Sequence, residues 1–264
     1  MARGRVLIIA GSDSGGGAGV QADIKTVTMM GGHAASAITA VTAQNTLGIT
    51  AIHPIPAAIV EAQARSVLDD IGADAIKVGM LGGADVVETV GRILAGAAEI
   101  PAVIDPVLFA TGGARLLNED ALAALRALLP LAALLTPNAL EAAILTGVEV
   151  TTTDDLRRAG EALLEAGCAA VLVKGGHVAG ERVVDVLLSP AGETTFEGPR
   201  METRHTHGTG CTLSSACAVG LAQGLSLETA VAHAWAYTAN AIRHAPGLGA
   251  GAGPLGHGWP LRQG

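Results

Sequence analysis

The chain has 264 residues, half of them hydrophobic, which is enough for one compact domain with a sizeable core. Its formal net charge is −8 and its Lys and Arg residues form no cluster, which argues against a surface that binds nucleic acid or anionic membrane. Only 15% of the residues are charged and 36 are glycine, a composition that argues against disorder and predicts a core of small aliphatic side chains.

Short apolar strands alternate along the chain with helices. The predicted strands cover 5–10, 37–41, 75–80, 102–105, 133–136 and 169–174, followed by a hairpin over 183–189 and 193–197. The predicted helices cover 20–30, 57–70, 84–97, 118–129, 138–146, a segment from about 153, 209–223 and 227–244. This alternation predicts a single α/β domain over residues 1–264 with a mostly parallel central sheet, ending in a Gly/Pro-rich surface tail over about 245–264.

One long segment, from Thr26 to Val60, contains no charged residue. It is long enough to cross a bilayer, but glycines and prolines interrupt it, so we interpret it as a helix, a buried strand and a neutral pocket wall around Gln44. The apolar run over 6–10 is too short for a signal peptide. The three cysteines are odd in number and lack metal-site spacing, which predicts reduced thiols and a cytoplasmic protein.

Polar residues collect where the predicted strands end, at 11–19, 42–46, 79–83, 105–107, 136–138 and 174–177. Ligands of parallel α/β sheets bind at the carboxyl ends of the strands, so we expect one site there. The first of these segments matches a relaxed dinucleotide fingerprint, GxGxxA, over 17–22. A nicotinamide-binding protein also needs an acidic residue at the end of the second strand, where this chain has Gln44, and this alternative therefore rests on a partial match.

Asn138 and Glu141 begin a predicted helix with a spacing that allows two interpretations. One is a helix N-cap with its capping-box partner. The other is a magnesium site completed by Asp105, because side-chain oxygens at one strand edge suit that ion, directly or through water.

The segment HGTGCTLSSA, over 207–216, places two glycines before a helix that begins near Cys211. Backbone N–H groups at such a helix start form a cradle for a phosphate or an oxyanion, and they would lower the pKa of the Cys211 thiol. The alternative is a tight turn with a small buried cysteine. Lys174 ends a strand before two glycines, which predicts either a phosphate contact or a surface lysine. The eight histidines, His207 among them, show no metal-ligand spacing and are interpreted as core or surface residues.

Taken in order, these motifs resemble the hydroxymethylpyrimidine/phosphomethylpyrimidine kinases of thiamine biosynthesis. The resemblance runs from about 5 to 244 and rests on AGSDSGGGAGVQADIKT, ITAVTAQNT, KVGMLG, DPV, TPNALEA, VLVKGGH and HGTGCTLSSA. It implies a ribokinase-like three-layer α/β/α sandwich. It also implies an enzyme that uses ATP and Mg²⁺ to phosphorylate 4-amino-5-hydroxymethyl-2-methylpyrimidine to the monophosphate and then to the diphosphate, and that forms a homodimer.

The resemblance also implies roles for individual residues. The pyrimidine would be bound by Gln44, Asp23, Gly11, Met80 and Val107. Magnesium and the ATP phosphates would be organised by Asp105, Thr136, Asn138, Glu141 and Lys174. The anion hole would be formed by Gly208, Thr209, Gly210 and Cys211, with Cys211 where sugar kinases carry an aspartate base. A base is needed for an alcohol acceptor but not for an ionised phosphate, so we expect Cys211→Ala to slow the first phosphorylation more than the second.

Three alternatives remain. A pyridoxal kinase acts on a similar flat ring that carries a hydroxymethyl group. A nicotinamide-dependent oxidoreductase rests on GxGxxA alone. A non-catalytic binding protein would not need Asp105, Lys174 and Cys211 together.

Overall fold

The computed structural model describes residues 4–109, 113, 116–117 and 120–262. The strands are β1 (Arg5–Asp13), β2 (His33–Asn45), β3 (Gly48–Pro54), β4 (Ala75–Val78), β5 (Ala102–Ile104), β6 (Leu134–Leu135), β7 (Val171–Val173), β8 (Arg182–Ser189) and β9 (Gly192–Pro199). The helices are α1 (Gly19–Met29), α2 (Ala57–Asp70), α3 (Ala84–Ala95), α4 (Ala121–Ala127), α5 (Ala139–Thr146), α6 (Thr153–Glu165), α7 (Thr209–Ala222) and α8 (Leu227–Arg243).

The nine strands found in the described residues form one sheet in the order β3-β2-β1-β4-β5-β6-β7-β8-β9. The six strands from β2 to β7 in that order are parallel, while β3, β8 and β9 pair antiparallel at the two edges. The predicted mostly parallel α/β sheet is therefore confirmed. From β1 the chain passes to β2 and β3 on one side of β1 and then crosses to β4 on its other side, and ligand sites of such sheets lie at this reversal.

Helices cover both faces of the sheet, so its central strands are apolar on both sides. Along β1, Leu7 and Ile9 pack against one cluster, which includes residues of α2 to α6, and Val6 and Ile8 pack against a second one. The second cluster contains residues of α1, α7 and α8. Within the described residues, no helix is both long and apolar enough to cross a membrane.

Two elements differ from the sequence-based expectation. The edge strand β3 was not predicted, and it lacks a buried face whose periodicity could indicate it, since its last five residues are exposed. Helix α4 is shorter than the predicted 118–129 because Pro130 has no N–H for helical hydrogen bonding, and a 3-10 turn over Leu129–Leu131 follows. Residues 118 and 119 of that prediction lie outside the described residues.

The tail predicted over about 245–264 lies only partly at the surface in its described residues: 246–250 are exposed, whereas 253, 255 and 257 are buried. Leu255 and His257 are buried, and the Tyr237 hydroxyl donates to the backbone carbonyl of His257 over 2.8 Å. Glycine permits the close approach: a Cβ on Gly251 would lie 2.0 Å from the Thr46 carbonyl oxygen. The C-terminal segment therefore packs against α8 and the turn that links β2 and β3.

Candidate functional site

Two glycine-containing loops meet at the carboxyl end of β1. Gly208 has a φ of +85°, and a Cβ there would lie 1.9 Å from the Gly17 carbonyl oxygen. A Cβ on Gly19 would likewise lie 2.2 Å from the Gly11 carbonyl oxygen. Both contacts require glycine, and they hold the N-terminus of α7 against the loop that follows β1. The first-turn N–H groups of α7, which no helical carbonyl reaches, thus lie at the sheet edge where ligands bind.

A buried ion pair adjoins this helix start. The Lys174 ammonium lies 2.9 Å from Asp105 Oδ1, which also accepts a hydrogen bond from the Thr136 hydroxyl. A Cβ on Gly210 would lie 3.1 Å from Lys174 Nζ and 3.4 Å from Asp105 Oδ2. The structure therefore brings together the ends of β5, β6 and β7 and the first turn of α7. The Lys174 side chain is 12% exposed, so it is not a surface lysine.

Asn138 and Glu141 form a capping box at the start of α5. The Glu141 N–H donates to Asn138 Oδ1 over 2.9 Å, and the Asn138 N–H donates to Glu141 Oε2 over 2.8 Å. Burial raises the pKa of Glu141 to about 7, although the nearby Lys174 ammonium opposes the rise. The structural interpretation of this pair is thereby confirmed, and the Glu141 carboxyl also lies close enough to Lys174 and Asp105 to interact electrostatically with them.

Cys211 is half-buried in the first turn of α7. Burial raises the pKa of its thiol to about 11, and the neighbouring Lys77 ammonium only partly offsets this effect. The predicted lowering of the thiol pKa is therefore wrong, because desolvation of the thiolate outweighs the positive potential at the helix start. Cys168 and Cys217 are buried, as predicted, and all three cysteines are free thiols.

Lys77 and Asp23 form a fully buried ion pair behind the site. Both Asp23 oxygens lie within 3.0 Å of Lys77 Nζ, and the Ser215 hydroxyl donates to Oδ1 over 2.7 Å. Both side chains have 0% exposure, so the Asp23 carboxylate lies beneath the pocket surface, and its contact with a pyrimidine stays a prediction. Lys77 was not predicted as a site residue. The available signal was its position inside a buried strand, because a buried lysine requires a buried anion as its partner.

The residues expected around the pyrimidine are brought to the ends of β1, β2 and β4. A Cβ on Gly11 would lie 3.0 Å from Met80 Sδ, and the Thr39 hydroxyl fixes the Met80 carbonyl over 2.6 Å. Strand pairing is irregular beside both Gly11 and Gln44, as is common next to binding sites. Val107 lies two residues after Asp105, beyond the end of β5, and is half-buried. Met80 also lines a groove of about 530 Å³ between the β2–β3 hairpin and the start of α3.

Asp13 and His207 link the loop after β1 to the start of α7. Asp13 accepts N–H hydrogen bonds from Gly15, Gly17 and Ala18 over 2.7 to 2.9 Å. His207 Nε2 lies 2.9 Å from Asp13 Oδ2 and 3.2 Å from the Gln44 amide nitrogen. The sequence analysis interpreted His207 as an ordinary histidine. A signal for Asp13 was available, because an aspartate two residues before a glycine commonly caps a turn.

Asp185, on β8, organises the loop after β7. Its Oδ1 accepts the Gly175 N–H over 2.8 Å, and burial raises the pKa of this carboxyl to about 6. A Cβ on Gly175 would lie 2.0 Å from the Val184 carbonyl oxygen, so the loop is packed directly on β8. No local sequence pattern indicates this contact because it joins residues at different strands.

Comparisons with known proteins identify the family and the fold of this chain. The phosphomethylpyrimidine kinase family profile matches residues 13–256. The hydroxymethylpyrimidine/phosphomethylpyrimidine kinase of Streptomyces coelicolor is 51% identical over 97% of this chain and 95% of its own length. Among solved structures, pyridoxal kinase from Bacillus subtilis in complex with ADP covers both chains completely with a TM-score of 0.92 and 34% identity. The phosphomethylpyrimidine kinase of Clostridium difficile gives 0.81 and 38%, covering 91% of this chain and all of its own.

Proposed function

The chain belongs to the phosphomethylpyrimidine kinase family, and from this membership we propose that it catalyses two successive phosphorylations in thiamine biosynthesis. ATP first phosphorylates the hydroxymethyl group of 4-amino-5-hydroxymethyl-2-methylpyrimidine, and a second ATP converts the monophosphate to the diphosphate. The observation that carries the proposal is the Lys174–Asp105 pair beside Gly210, because it places a cation at the N-terminus of α7, where the first-turn N–H groups have no carbonyl partner within the helix.

Phosphoryl transfer depends mainly on positioning and on stabilising the charge of the transferred group. We propose that Lys174 contacts the ATP phosphates and that the N–H groups of 208–211 form the anion hole for the phosphoryl group. Asp105 and Thr136 hold the Lys174 ammonium in place, and Asp185 holds the adjacent Gly175. These groups are fixed before ATP binds, which is what electrostatic catalysis requires.

A magnesium ion fits the residues at this edge. Mg²⁺ in kinases is held by one or two carboxylates together with water and substrate phosphates. Asp105 Oδ2 and one Glu141 oxygen supply such a pair, whereas Asn138 Oδ1 already accepts the Glu141 N–H and so orients that carboxylate. We propose that Asp105, Asn138 and Glu141 organise Mg²⁺, in part through water, and that the bound ion supplies charge neutralisation between the phosphates.

The acceptor ring is proposed to lie among Gly11, Met80, Val107 and Gln44, above Asp23. These residues belong to strand ends that carry no exposed cation, which suits a neutral ring. The Gln44 amide both donates and accepts hydrogen bonds, as the edge of an aminopyrimidine requires.

Pyridoxal phosphorylation is a second candidate, favoured by one observation: the pyridoxal kinase of Bacillus subtilis matches the whole chain with a TM-score of 0.92. The two candidates differ in the ring edge that meets Gln44, since only the aminopyrimidine presents an amino group beside a ring nitrogen.

We also propose that the enzyme is a cytoplasmic homodimer that covers the β3 edge. This edge strand leaves its backbone unpaired on one side, and the adjoining Val41, Leu47 and Ile52 are 45%, 74% and 44% exposed. Uncharged apolar edges invite pairing unless they are covered. Light scattering should give a mass near twice 26.2 kDa, and Ile52→Lys should shift it towards the monomer. A monomeric wild-type enzyme would contradict this part of the proposal.

ADP release tests the function directly. We expect turnover with the hydroxymethylpyrimidine and with its monophosphate, at a kcat/KM well above that for pyridoxal. Equal or higher kcat/KM with pyridoxal would favour the second candidate. Absence of turnover with every acceptor, despite ATP binding, would contradict both.

A further inference from the structure

The hydrogen atoms around the Gln44 amide can be assigned from the contacts of its neighbours. Asp13 accepts three backbone N–H groups, and His207 Nε2 lies 2.9 Å from it. Burial alone would raise the pKa of Asp13, but the hydrogen bonds from His207, Ala18 and Gly15 outweigh it and lower the pKa. Asp13 is therefore an anion without a proton to donate, so the proton between the two side chains is on His207 Nε2.

A protonated His207 Nε2 cannot accept a hydrogen bond from Gln44. With the amide nitrogen 3.2 Å away, two donors would face each other. An amide oxygen at that point would instead accept a second hydrogen bond from the N–H that His207 shares with Asp13. Amide nitrogen and oxygen are distinguished by such hydrogen-bond networks. His207 therefore favours the orientation that places Gln44 Oε1 beside it.

Thr42 favours the same orientation from the other side. Its hydroxyl has one hydrogen but two acceptors within reach, the Ser12 carbonyl at 3.0 Å and the far end of the Gln44 amide at 3.1 Å. With the amide nitrogen at that end, the hydroxyl donates to Ser12 and accepts from Gln44, so each group is satisfied. Ser14 Oγ fixes the Gln44 backbone as well, over 2.8 Å to its nitrogen and 2.7 Å to its oxygen.

We propose that His207, held by Asp13, and Thr42 are specificity-determining positioning residues that lock the Gln44 amide with its oxygen towards His207 and its nitrogen towards Thr42. This inference rests on the proposed function, in which Gln44 meets the acceptor ring. In a locked amide the oxygen and the nitrogen cannot exchange places. The amino group of the acceptor can therefore donate to the amide oxygen while the adjacent ring nitrogen accepts from the amide N–H, and the ring binds in one orientation. The amino group of the acceptor then lies on the His207 side, and a ring without it leaves unfilled the acceptor site of the amide oxygen that His207 does not occupy.

Two measurements test the lock. Nitrogen-15 NMR of the histidine rings in the whole empty protein at neutral pH should show a proton on His207 Nε2. An unprotonated Nε2 would overturn the proposal, and this result does not depend on activity.

The second measurement is the ratio of kcat/KM for the hydroxymethylpyrimidine to that for its analogue with hydrogen in place of the 4-amino group. We expect Thr42→Val and His207→Phe to reduce this ratio about tenfold, the scale of one hydrogen bond, without changing the KM for ATP. Thr42→Ser, which keeps the hydroxyl, should retain the wild-type ratio, as should the control Thr195→Val on β9, whose exposed hydroxyl donates to Glu193 of the same strand. Equal losses for both acceptors would overturn the lock. Failure of the wild type to phosphorylate either acceptor would instead contradict the proposed function, leaving the NMR result to decide the lock.

Discussion

The Lys174 ammonium combines burial with access to the site, because it pairs with Asp105 and is still 12% exposed. Replacing it removes the cation beside the α7 amides and leaves Asp105 buried without its counter-charge. We expect Lys174→Met to lower kcat about 10²–10³-fold in both phosphorylations, as for the loss of one electrostatic donor. Lys174→Arg should recover part of this activity.

Steady-state kinetics with each acceptor, together with urea unfolding, separate catalysis from folding in this variant. The matched control is Arg182→Met, which removes an exposed cation paired with Glu197 on β8 and β9. A wild-type kcat in Lys174→Met would refute the phosphate contact.

The pKa of Cys211 leads to a prediction about how kcat/KM depends on pH. With a pKa of about 11, about one thiol in 10⁴ is deprotonated at pH 7, and this fraction grows tenfold with each pH unit. If Cys211 is the base for the alcohol acceptor, kcat/KM of the first phosphorylation should rise from pH 7 to 9, while that of the second stays level. Cys211→Ala should abolish the rise and slow the first step about 10²–10⁴-fold.

The two pH profiles, measured with saturating ATP for wild type and Cys211→Ala, decide the role of the thiol. A common loss in both steps without a change in slope would mean that Cys211 shapes the anion hole and accepts no proton.

At the scale of elements, the loop between β7 and β8 contains two adjacent glycines with different surroundings. A Cβ on Gly175 would meet the Val184 carbonyl oxygen at 2.0 Å, whereas a Cβ on Gly176 would meet nothing within 4 Å. We expect Gly175→Ala to lower the free energy of unfolding by about 3 kcal/mol, at the upper end for overpacking.

Gly176→Ala is the neighbouring control for stability and a probe of the site. Its unfolding should match that of the wild type in urea, but its KM for ATP should rise about tenfold if a phosphate approaches the bare backbone beside Lys174. An unchanged KM for ATP would place the phosphates away from this loop.

The elements show how far the sequence could predict the fold. Helix α2 was predicted over 57–70 and is found at Ala57–Asp70, because its apolar residues repeat with the period of a helix facing a sheet. Strand β3 was missed because an exposed strand has no such repeat. The ends of the predicted strands therefore located the site from the sequence. The β2–β3 hairpin at the edge of the site was found only in the structure.

The site residues divide in the same way, into those that a local sequence pattern indicates and those that only the fold brings together. Gly208, Lys174 and Asp105 were found because each directly follows or precedes an element in sequence. The contact of His207 with Asp13 joins residues 194 positions apart, and no local pattern indicates it. The thiol pKa of Cys211 was predicted in the wrong direction because burial is a property of the whole fold.

On the scale of the whole molecule, the net charge is −8, and each lysine near the site is held by a neighbouring carboxylate or carbonyl oxygen. The chain has three lysines, and each lies at this end of the sheet. Lys25 donates to the Gly16 carbonyl, Lys77 pairs with Asp23, and Lys174 pairs with Asp105. An anionic cosubstrate would therefore be attracted by local charges rather than by a broad basic surface.

The packed C-terminal segment couples the stability of the whole fold to pH through His257. This side chain is 4% exposed, its Nε2 lies 2.9 Å from the Thr212 hydroxyl, and burial lowers its pKa to about 4. An unfolded histidine titrates near 6.5, so between pH 6.5 and 4 the unfolded chain binds more protons. His257 therefore contributes stability that is present above about pH 6.5 and lost as the pH falls, amounting to about 3 kcal/mol.

Urea unfolding of wild type and His257→Gln between pH 7 and 4.5 measures this contribution. The variant should be less stable at pH 7, and the difference should shrink as the pH falls. Only the wild type has a side chain here that takes up a proton on unfolding, so only its free energy of unfolding falls for this reason. Tyr237→Phe removes the hydrogen bond to the His257 carbonyl but keeps the imidazole, so its curve should run parallel to that of the wild type. A constant difference between wild type and His257→Gln would show that burial does not hold His257 neutral in the folded state.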